Sequence, residues 1–414
     1  MSDLISVEQA ISLLRANRIP LQTERVSIEH ALGRRLTKPI IANVARPSVA
    51  LSAMDGYAVQ FENARTAGGR LKVIGAAPAG HPFSGSVRRG TAVRIFTGSV
   101  VPDGADHILI QENAERDGDD IVILEGAEQP RHIRAPGIDF QLDDILVPAG
   151  ALLDPAQLAV AAAGNNPTVE VERPLRVGML SNGDELRPPG SDLQVGEVVN
   201  SNPYGLAGLI ARWGGEPVRL GVASDSIESI QAHIDAADVD ILLPIGGASV
   251  GDHDHMHAAF TDRSFEPVFK KIAVRPGKPT WFSRREKTLA LGLPGNPASA
   301  LVCAQLFLVP LLGVDWRTEL ISAALTHTLS DNGPREHFMR ARIEINDDGE
   351  LEVTPAPSQD SSLLSTFVHH NALIRRLVNE KAQNSGDKVR VLPIAPILQQ
   401  SQQFENEKRV QILL

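Results

Sequence analysis

Cysteine and aromatic residues are scarce in this chain: 414 residues contain one cysteine, and aromatics make up 4%. The single thiol, Cys303, sits in an apolar run from Ala298 to Leu312, so an intramolecular disulfide and a cysteine-based metal site are excluded. That usage fits a reducing compartment, and a cytoplasmic location is expected. With few rings available, the cores are expected to be built from aliphatic side chains. A membrane span is lacking too, since the longest apolar stretch, PASALVCAQLFLVPLLG, is marginal in length and broken by Pro310, which predicts a buried helix. The N-terminus, MSDLISVEQAISLLRAN, has no basic segment ahead of an apolar block, so no secretion signal is expected. Nor is there a cationic excess: the net charge of −10 argues against general nucleic-acid binding but leaves room for a local anion pocket.

The chain is too long for one core, because single cores stop growing at about 250–300 residues. The first segment predicts an amphipathic helix with Ser6 and Gln9 spaced as a capping box. Residues 27–150 show short apolar runs between Gly and Pro, the pattern of β-rich structure. Asp154, Pro155 and Gln157 then predict the start of a helix that ends near Gly164. From about residue 173 the pattern becomes βαβαβ: LRVGML, PYGLAGLIARWGG, EPVRLGV, SIESIQAHIDAA and VDILLPIGG. Such crossovers give a parallel sheet covered by helices, with ligands at the carboxyl ends of the strands. Beyond about 325 short alternating strands return (HFMRARIEI, ELEVTPAP, ALIRRLV, DKVRVLPI), as in a small β-barrel.

The predicted strand ends carry the chemistry. LSNGDEL, IGGASVGDHDH, RPGKP and GLPGNPAS are rich in glycine, which lets backbone N–H groups approach an oxyanion closely. Asp184, Glu185, Asp225, Asp252 and Asp254 all fall just past strand ends, and grouped carboxylates suit Mg²⁺ bridging to substrate phosphates. His253, His255 and His257 alternate with acids, but i, i+2 spacing and the lack of further ligands make a helix start with surface histidines the better reading than zinc. Arg275 and Lys278, three residues apart around a rigid turn, suit a tetrahedral oxyanion, although taken alone they also read as a solvated basic turn.

Taken together, SAMDGYAV (52–59), FTGSVVPDGADHILIQEN (96–113), SNGDEL (181–186), GGASVGD (246–252), RPGKP (275–279) and GLPGNPASA (292–300) resemble, in order, the motifs of the molybdopterin molybdenumtransferases, the MoeA and gephyrin E-domain family. The resemblance implies a multidomain α/β plus β fold. An elongated domain I is formed by 1–42 and 141–172, an inserted β-rich domain II by 43–140, a molybdopterin-binding-type α/β domain III with a parallel-rich sheet by 173–325, and a C-terminal β-barrel domain IV by 326–414. It implies insertion of molybdate into adenylylated molybdopterin with release of AMP, aided by a divalent cation, usually Mg²⁺. It also implies a homodimer with a cleft shared between subunits, and transient partners in the pterin adenylyltransferase and molybdoenzyme chaperones.

Carried over by position, the resemblance assigns catalytic roles to Asp55, Thr97, Glu185, Asp225 and Asp254, with Glu185, Asp225 and Asp254 near the metal. Substrate contacts are assigned to Asp139, Asn182, Gly246, Gly247, Ser249, Arg275, Lys278, Pro294, Pro297, Ser299, Arg340 and Ser361, of which Arg275, Lys278, Ser299, Arg340 and Ser361 form the molybdate pocket. The chain departs from the family pattern at Asn182 (usually Thr), Ile245 (Ser or Thr), Ile138 (Glu) and Arg275 (Lys). Those departures keep a second reading open, a family-fold pterin-binding or scaffold protein with weak or no catalysis. A third, an adenylyltransferase acting on the pterin, shares the α/β domain but leaves the flanking domains unexplained.

Overall fold

The computed structural model describes residues 4–246, 255–313 and 316–399. They form two compact units, one running from Leu21 to Arg173 and the other made of the residues up to Pro20 and from Pro174 onward.

The second of these units holds the βαβ pattern. Its sheet runs, in spatial order, Glu216–Ala223, Arg176–Asn182, Ile241–Ile245, Thr288–Gly292, Trp281–Arg285, Glu266–Phe269. The first four strands are mutually parallel and the last two antiparallel, so the sheet is parallel-rich, as expected. Strand order reverses between Arg176–Asn182 and Ile241–Ile245, because the connection from the first leads outward to Glu216–Ala223 and the next leads back past it. The crevice beyond the carboxyl ends at such a reversal is where open α/β sheets bind ligands.

The N-terminal helix Val7–Ala16 forms with the expected Ser6–Gln9 capping box, each residue bonding the other's backbone N–H. Val7, Ala10, Ile11 and Leu14 repeat at helical spacing and enter the main core of the α/β sheet. Each large member of that stripe contributes about 1.5–3 kcal/mol of burial. Residues 4–20 thus share their core with the α/β sheet, while 21–42 pack with 145–171 in the other unit.

The run Pro297–Leu311 is a buried helix, as expected, but it widens to π geometry over Ala304–Leu308. Among the described residues no helix is long and apolar enough to cross a membrane. The C-terminal strands Ile321–Leu325, Glu336–Ile345, Leu351–Pro355, Ala372–Arg376 and Lys388–Pro393 close into a five-stranded barrel, because Glu336–Ile345 pairs with both Leu351–Pro355 and Ala372–Arg376. Phe338, Leu373 and Leu392 carry the barrel's packing into the α/β core.

The expectation of purely aliphatic cores needs correcting here. The scarce rings are concentrated in this unit, where Trp281, Trp316, Phe260, Phe282, Phe307 and Phe338 are its largest fully buried side chains. Edge-to-face pairs such as Trp316–Phe338, with centroids 5.5 Å apart, hold them in register.

In the Leu21–Arg173 unit, Thr23–Ser27 pairs with Thr168–Glu172 and Ile40–Ile41 with Ile145–Val147, around helix Pro155–Ala163. That helix has the expected Asp154–Gln157 capping box and ends on Gly164. Between these segments lies a mixed six-stranded sheet, ordered His107–Ile110, Gly56–Val59, Thr91–Ile95, Arg70–Ala77, Asp120–Ile123, Ala114–Asp117.

Candidate functional site

A cavity of about 640 Å³ opens at the strand-order reversal. Ser181, Asn182 and Glu185 from the end of the first strand, Ile245 and Gly246 from the third, and the turn Pro294–Pro297 line it, with Pro279 and the segment Val198–Asn202. Asn202 donates to the carbonyl of Gly295 at 2.8 Å and ties the two walls together.

Of the five acids expected at this sheet edge, Asp184, Glu185 and Asp225 fall among the described residues, at neighbouring strand ends, and Glu185 lines the cavity. Asp225 follows the strand Glu216–Ala223, which is parallel to Arg176–Asn182 with Ala223 opposite Asn182, so the two strand ends stop side by side. The Asn182 amide donates to Asp225 Oδ1 at 2.6 Å, and Asp184 and Asp225 exchange long backbone-to-carboxylate bonds of 3.5 and 3.3 Å. Because its nitrogen is spent on a carboxylate, Asn182 presents its oxygen at the other end, where it has no partner among the described residues. Asp184, Glu185 and Asp225 are all exposed. Gly247, Ser249, Asp252, His253 and Asp254 lie outside the described residues. His255 opens the helix His255–Asp262, and His257 packs its ring against Trp281 at 4.7 Å.

Pro279, on the cavity lining, ends the turn that carries the cations. Arg275 and Lys278 are exposed on the turn Arg275–Pro279, and no hydrogen bond from either side chain is seen among the described residues. Behind the turn is the single thiol. A Cβ on Gly277 would stand 2.0 Å from Cys303 Sγ, and Gly277 has φ +108°, so only glycine fits. Thr280 donates its hydroxyl to that sulfur at 3.3 Å, and burial pushes the thiol up to about 12. Cys303 lies one helical turn beyond Ser299, so one helix face carries both Ser299, which is 4% exposed, and the support of the cationic turn.

Arg340 and Ser361 come from the barrel. Ser361 reaches the start of helix Pro297–Cys303: its carbonyl accepts the N–H of Ala298 at 3.2 Å, and its hydroxyl accepts the Asn296 amide at 3.0 Å. Arg340, expected at the oxyanion, is 3% exposed, and its terminal nitrogens donate to the carbonyls of Leu363, Asp360 and Ser358. His337, which the sequence reading passed over, stands opposite Arg275 in the strand ladder and is 6% exposed. Burial first, then the charges of Arg275, Arg376, Arg335 and Arg340, push its imidazole down to about 3. No local spacing marked it, since its place beside Arg275 follows from the pairing of two distant strands.

The positions that depart from the family pattern are distinct in structure. Ile245 is 2% exposed and its side chain belongs to the main core, so it serves packing. Ile138 is exposed. Beside it Asp139 pairs with Arg46 at 3.4 Å, within the Leu21–Arg173 unit.

In that same unit Asp55 and Thr97 are brought together by strand register. Gly56 faces Ile95 on antiparallel neighbours, so Asp55 and Thr97 both lie just beyond the end of that pairing. Asp55 Oδ1 accepts both the backbone N–H of Thr97 at 2.7 Å and its hydroxyl at 2.8 Å. These bonds hold the Asp55 carboxyl below its usual range, the backbone bond first. Gly56 is required there, since a Cβ would stand 2.1 Å from the carbonyl oxygen of Leu109.

Three family profiles cover these regions: "MoeA N-terminal region (domain I and II)" over residues 5–164, "Probable molybdopterin binding domain" over 178–313, and "MoeA C-terminal region (domain IV)" over 322–394. The molybdopterin molybdenumtransferase of Haemophilus influenzae is 32% identical, over 95% of this chain and 100% of its own length. The chain belongs to the molybdopterin molybdenumtransferase family. It therefore falls among the transferases of molybdenum cofactor biosynthesis. The Bacillus subtilis molybdopterin molybdenumtransferase is 30% identical, over 94% of each chain. A MoeA crystal structure from Pyrococcus horikoshii superposes with a TM-score of 0.81 at 28% identity, covering 95% of this chain and 100% of that one. A second from the same organism has a TM-score of 0.74 at 26% identity, covering 94% and 99%.

Proposed function

We propose that this member of the molybdopterin molybdenumtransferase family inserts molybdate into adenylylated molybdopterin and releases AMP. The observation that carries the reading is the cavity at the strand-order reversal, lined by Glu185, with Asp184 and Asp225 at the adjoining strand ends, and by Pro279, which ends the turn bearing Arg275 and Lys278; neither cation makes a side-chain hydrogen bond among the described residues. A dianionic oxyanion calls for fixed cations and hydroxyl donors, and Arg275, Lys278, Ser299 and Ser361 supply them in charge-assisted or neutral form. Main-chain groups at Gly246 and Gly295 leave room for a phosphate to approach the backbone.

Asp184, Glu185 and Asp225 offer oxygen donors only, the set a hard divalent cation prefers. No group of three or more His, Cys, Asp or Glu residues converges among the described residues. Mg²⁺ keeps water and takes substrate phosphate oxygens beside one or two carboxylates. Bound there, the ion would offset charge developing on the phosphoanhydride. Asn182 holds Asp225 in place for that role, and Lys278 and Arg275 orient the oxyanion.

Asp55 and Thr97 belong to a homodimeric reading in which each cleft takes residues from both subunits. Their mutual bonding supports a preformed acidic corner that would face substrate once two chains assemble. The test offers purified protein adenylylated molybdopterin, molybdate and Mg²⁺, and follows AMP and molybdenum cofactor together. Stoichiometric appearance of both supports transfer, and AMP without cofactor, or neither, refutes it. For the shared cleft, Asp55→Ala and Glu185→Ala chains, each inactive, should recover activity when mixed. Failure to recover after demonstrated subunit exchange would remove Asp55 from the site.

A further inference from the structure

We propose that the apolar pocket between helix Asn202–Arg212, the π turn Ala304–Leu308 and the barrel segment 367–373 is a second binding site, one that takes a small neutral molecule with a single-ring apolar body and a primary carboxamide head. The proposal is independent of the transfer reading above, since this pocket and the cavity at the strand-order reversal share no lining residue.

Size and lining set the body. The pocket holds about 220 Å³. Pockets for drug-sized ligands run to about 300–1,000 Å³, and an apolar cavity of about 150 Å³ already admits benzene, so one ring with a small substituent fits. The walls are Leu209, Leu301, Val302, Phe367, Leu373 and Ile394, which give a ring aliphatic packing and one aromatic neighbour. None of the described lining residues carries a formal charge, so an ionised ligand would lose its hydration there without a counter-charge.

Two polar side chains in the same lining set the head. Gln305 is 7% exposed, is the one polar residue of the π turn, and makes no side-chain hydrogen bond among the described residues. Buried amides normally find partners, and π turns recur at functional sites, so an unpartnered glutamine facing a pocket from such a turn points to a ligand. His370 adds an acceptor. Its Nδ1 lies 2.8 Å from the carbonyl oxygen of Thr366, which only accepts, so Nδ1 carries the hydrogen and Nε2 of the neutral ring keeps a lone pair. Burial first holds this imidazole below its usual range, the Thr366 bond opposes it, and the charges of His369, Arg340 and Arg342 act with burial. The ring is therefore neutral at pH 7.

Gln305 thus offers an amide donor and an amide acceptor, and His370 a second acceptor. A primary carboxamide answers all three: its oxygen accepts from Gln305 Nε2, and its two N–H groups donate to Gln305 Oε1 and His370 Nε2. A carboxylate brings a charge and no donor, a tertiary amide brings no donor, and a hydrocarbon leaves the glutamine unpaired. The probe is benzamide, with benzoate and N,N-dimethylbenzamide as controls, titrated into the full chain and followed by nuclear magnetic resonance of the probe. Gln305→Met keeps the length of the side chain and removes its hydrogen bonding, and His370→Phe removes the Nε2 acceptor.

Benzamide is expected to bind wild type saturably, and roughly ten-fold more weakly to each variant. On the wild type, benzoate and N,N-dimethylbenzamide should each bind roughly ten-fold more weakly than benzamide. Thermal unfolding checks that each variant is folded, and where one is not, the probe series on the wild type decides. No saturable binding of benzamide, equal affinity for benzamide and its dimethyl derivative, or wild-type affinity in folded Gln305→Met and His370→Phe would overturn the proposal.

Discussion

The two walls of the cavity are built on opposite principles. The acidic wall is exposed: Asp184, Glu185 and Asp225 sit at strand ends, where Asp184 and Asp225 hold each other by long bonds and the Asn182 amide holds Asp225. The cationic turn also exposes its charges, but Thr280 and Cys303 behind it are buried. Cys303 is 0% exposed under Gly277, Thr280 bonds it, and the barrel loop closes over the helix start through Ser361. A metal–phosphate assembly tolerates adjustment, because the ion and its waters complete the geometry. A tetrahedral oxyanion held by side chains alone has no such freedom, and its cations need a rigid base. The difference teaches that substitutions behind the cationic wall should harm function without touching a charge.

The largest effect should come from Gly277→Ala. A Cβ there meets Cys303 Sγ at 2.0 Å in a fully buried setting and forces a left-handed φ on alanine. Overpacking of about 1–3 kcal/mol adds to backbone strain of about 1–3 kcal/mol, so chemical denaturation should show a loss of roughly 2–6 kcal/mol. A variant that unfolds like wild type would mean the turn floats free of its base, and the contrast between the walls would collapse.

Next in size is Lys278→Ala, set against Asp225→Ala. Loss of one charge-assisted contact is worth about 1.5–3 kcal/mol, so Lys278→Ala should raise the molybdate requirement roughly ten- to a hundred-fold while the Mg²⁺ requirement stays put. Asp225→Ala should do the reverse. Titrating both components in the coupled assay for each variant sharpens the comparison, and crossed or shared effects would show that the walls do not divide the labour.

Much of this architecture was legible in the sequence because its signals are local. Capping boxes at Ser6–Gln9 and Asp154–Gln157, the stop at Gly164 and the βαβ alternation all lie within a few residues of the structure they specify. The acids past the strand ends were legible for the same reason, since each strand end is a local feature. What escaped depends on pairing between distant segments. Closure of the barrel by Glu336–Ile345 against Ala372–Arg376 joins strands that have no local mark of partnership. The burial of Arg340 follows from that closure and from a loop some twenty residues on, so its sequence position showed a charge but not its engagement. The docking of the first helix on the α/β core, rather than with the segment that follows it, is likewise long-range information.

His337 offers the smallest effect, and it probes the foundation beneath Arg275 without altering a charge at neutral pH. The imidazole is buried opposite Arg275 and surrounded by Arg376, Arg335 and Arg340, and these push it down to about 3. In the unfolded chain a histidine titrates near ~6.5. Above that value both states are neutral at this site and stability does not depend on it. As pH falls below ~6.5 the unfolded chain takes a proton that the folded chain refuses until about 3, so stability is lost on acidification across that window. One proton sets the limiting slope at about 1.4 kcal/mol per pH unit. Urea denaturation of wild type and His337→Gln between pH 7 and pH 4.5 should give curves that diverge as pH falls, with the variant the flatter. Parallel curves would show that the imidazole accepts its proton in the folded state, and that the arginines around it do not form the closed cationic base on which this wall of the cavity stands.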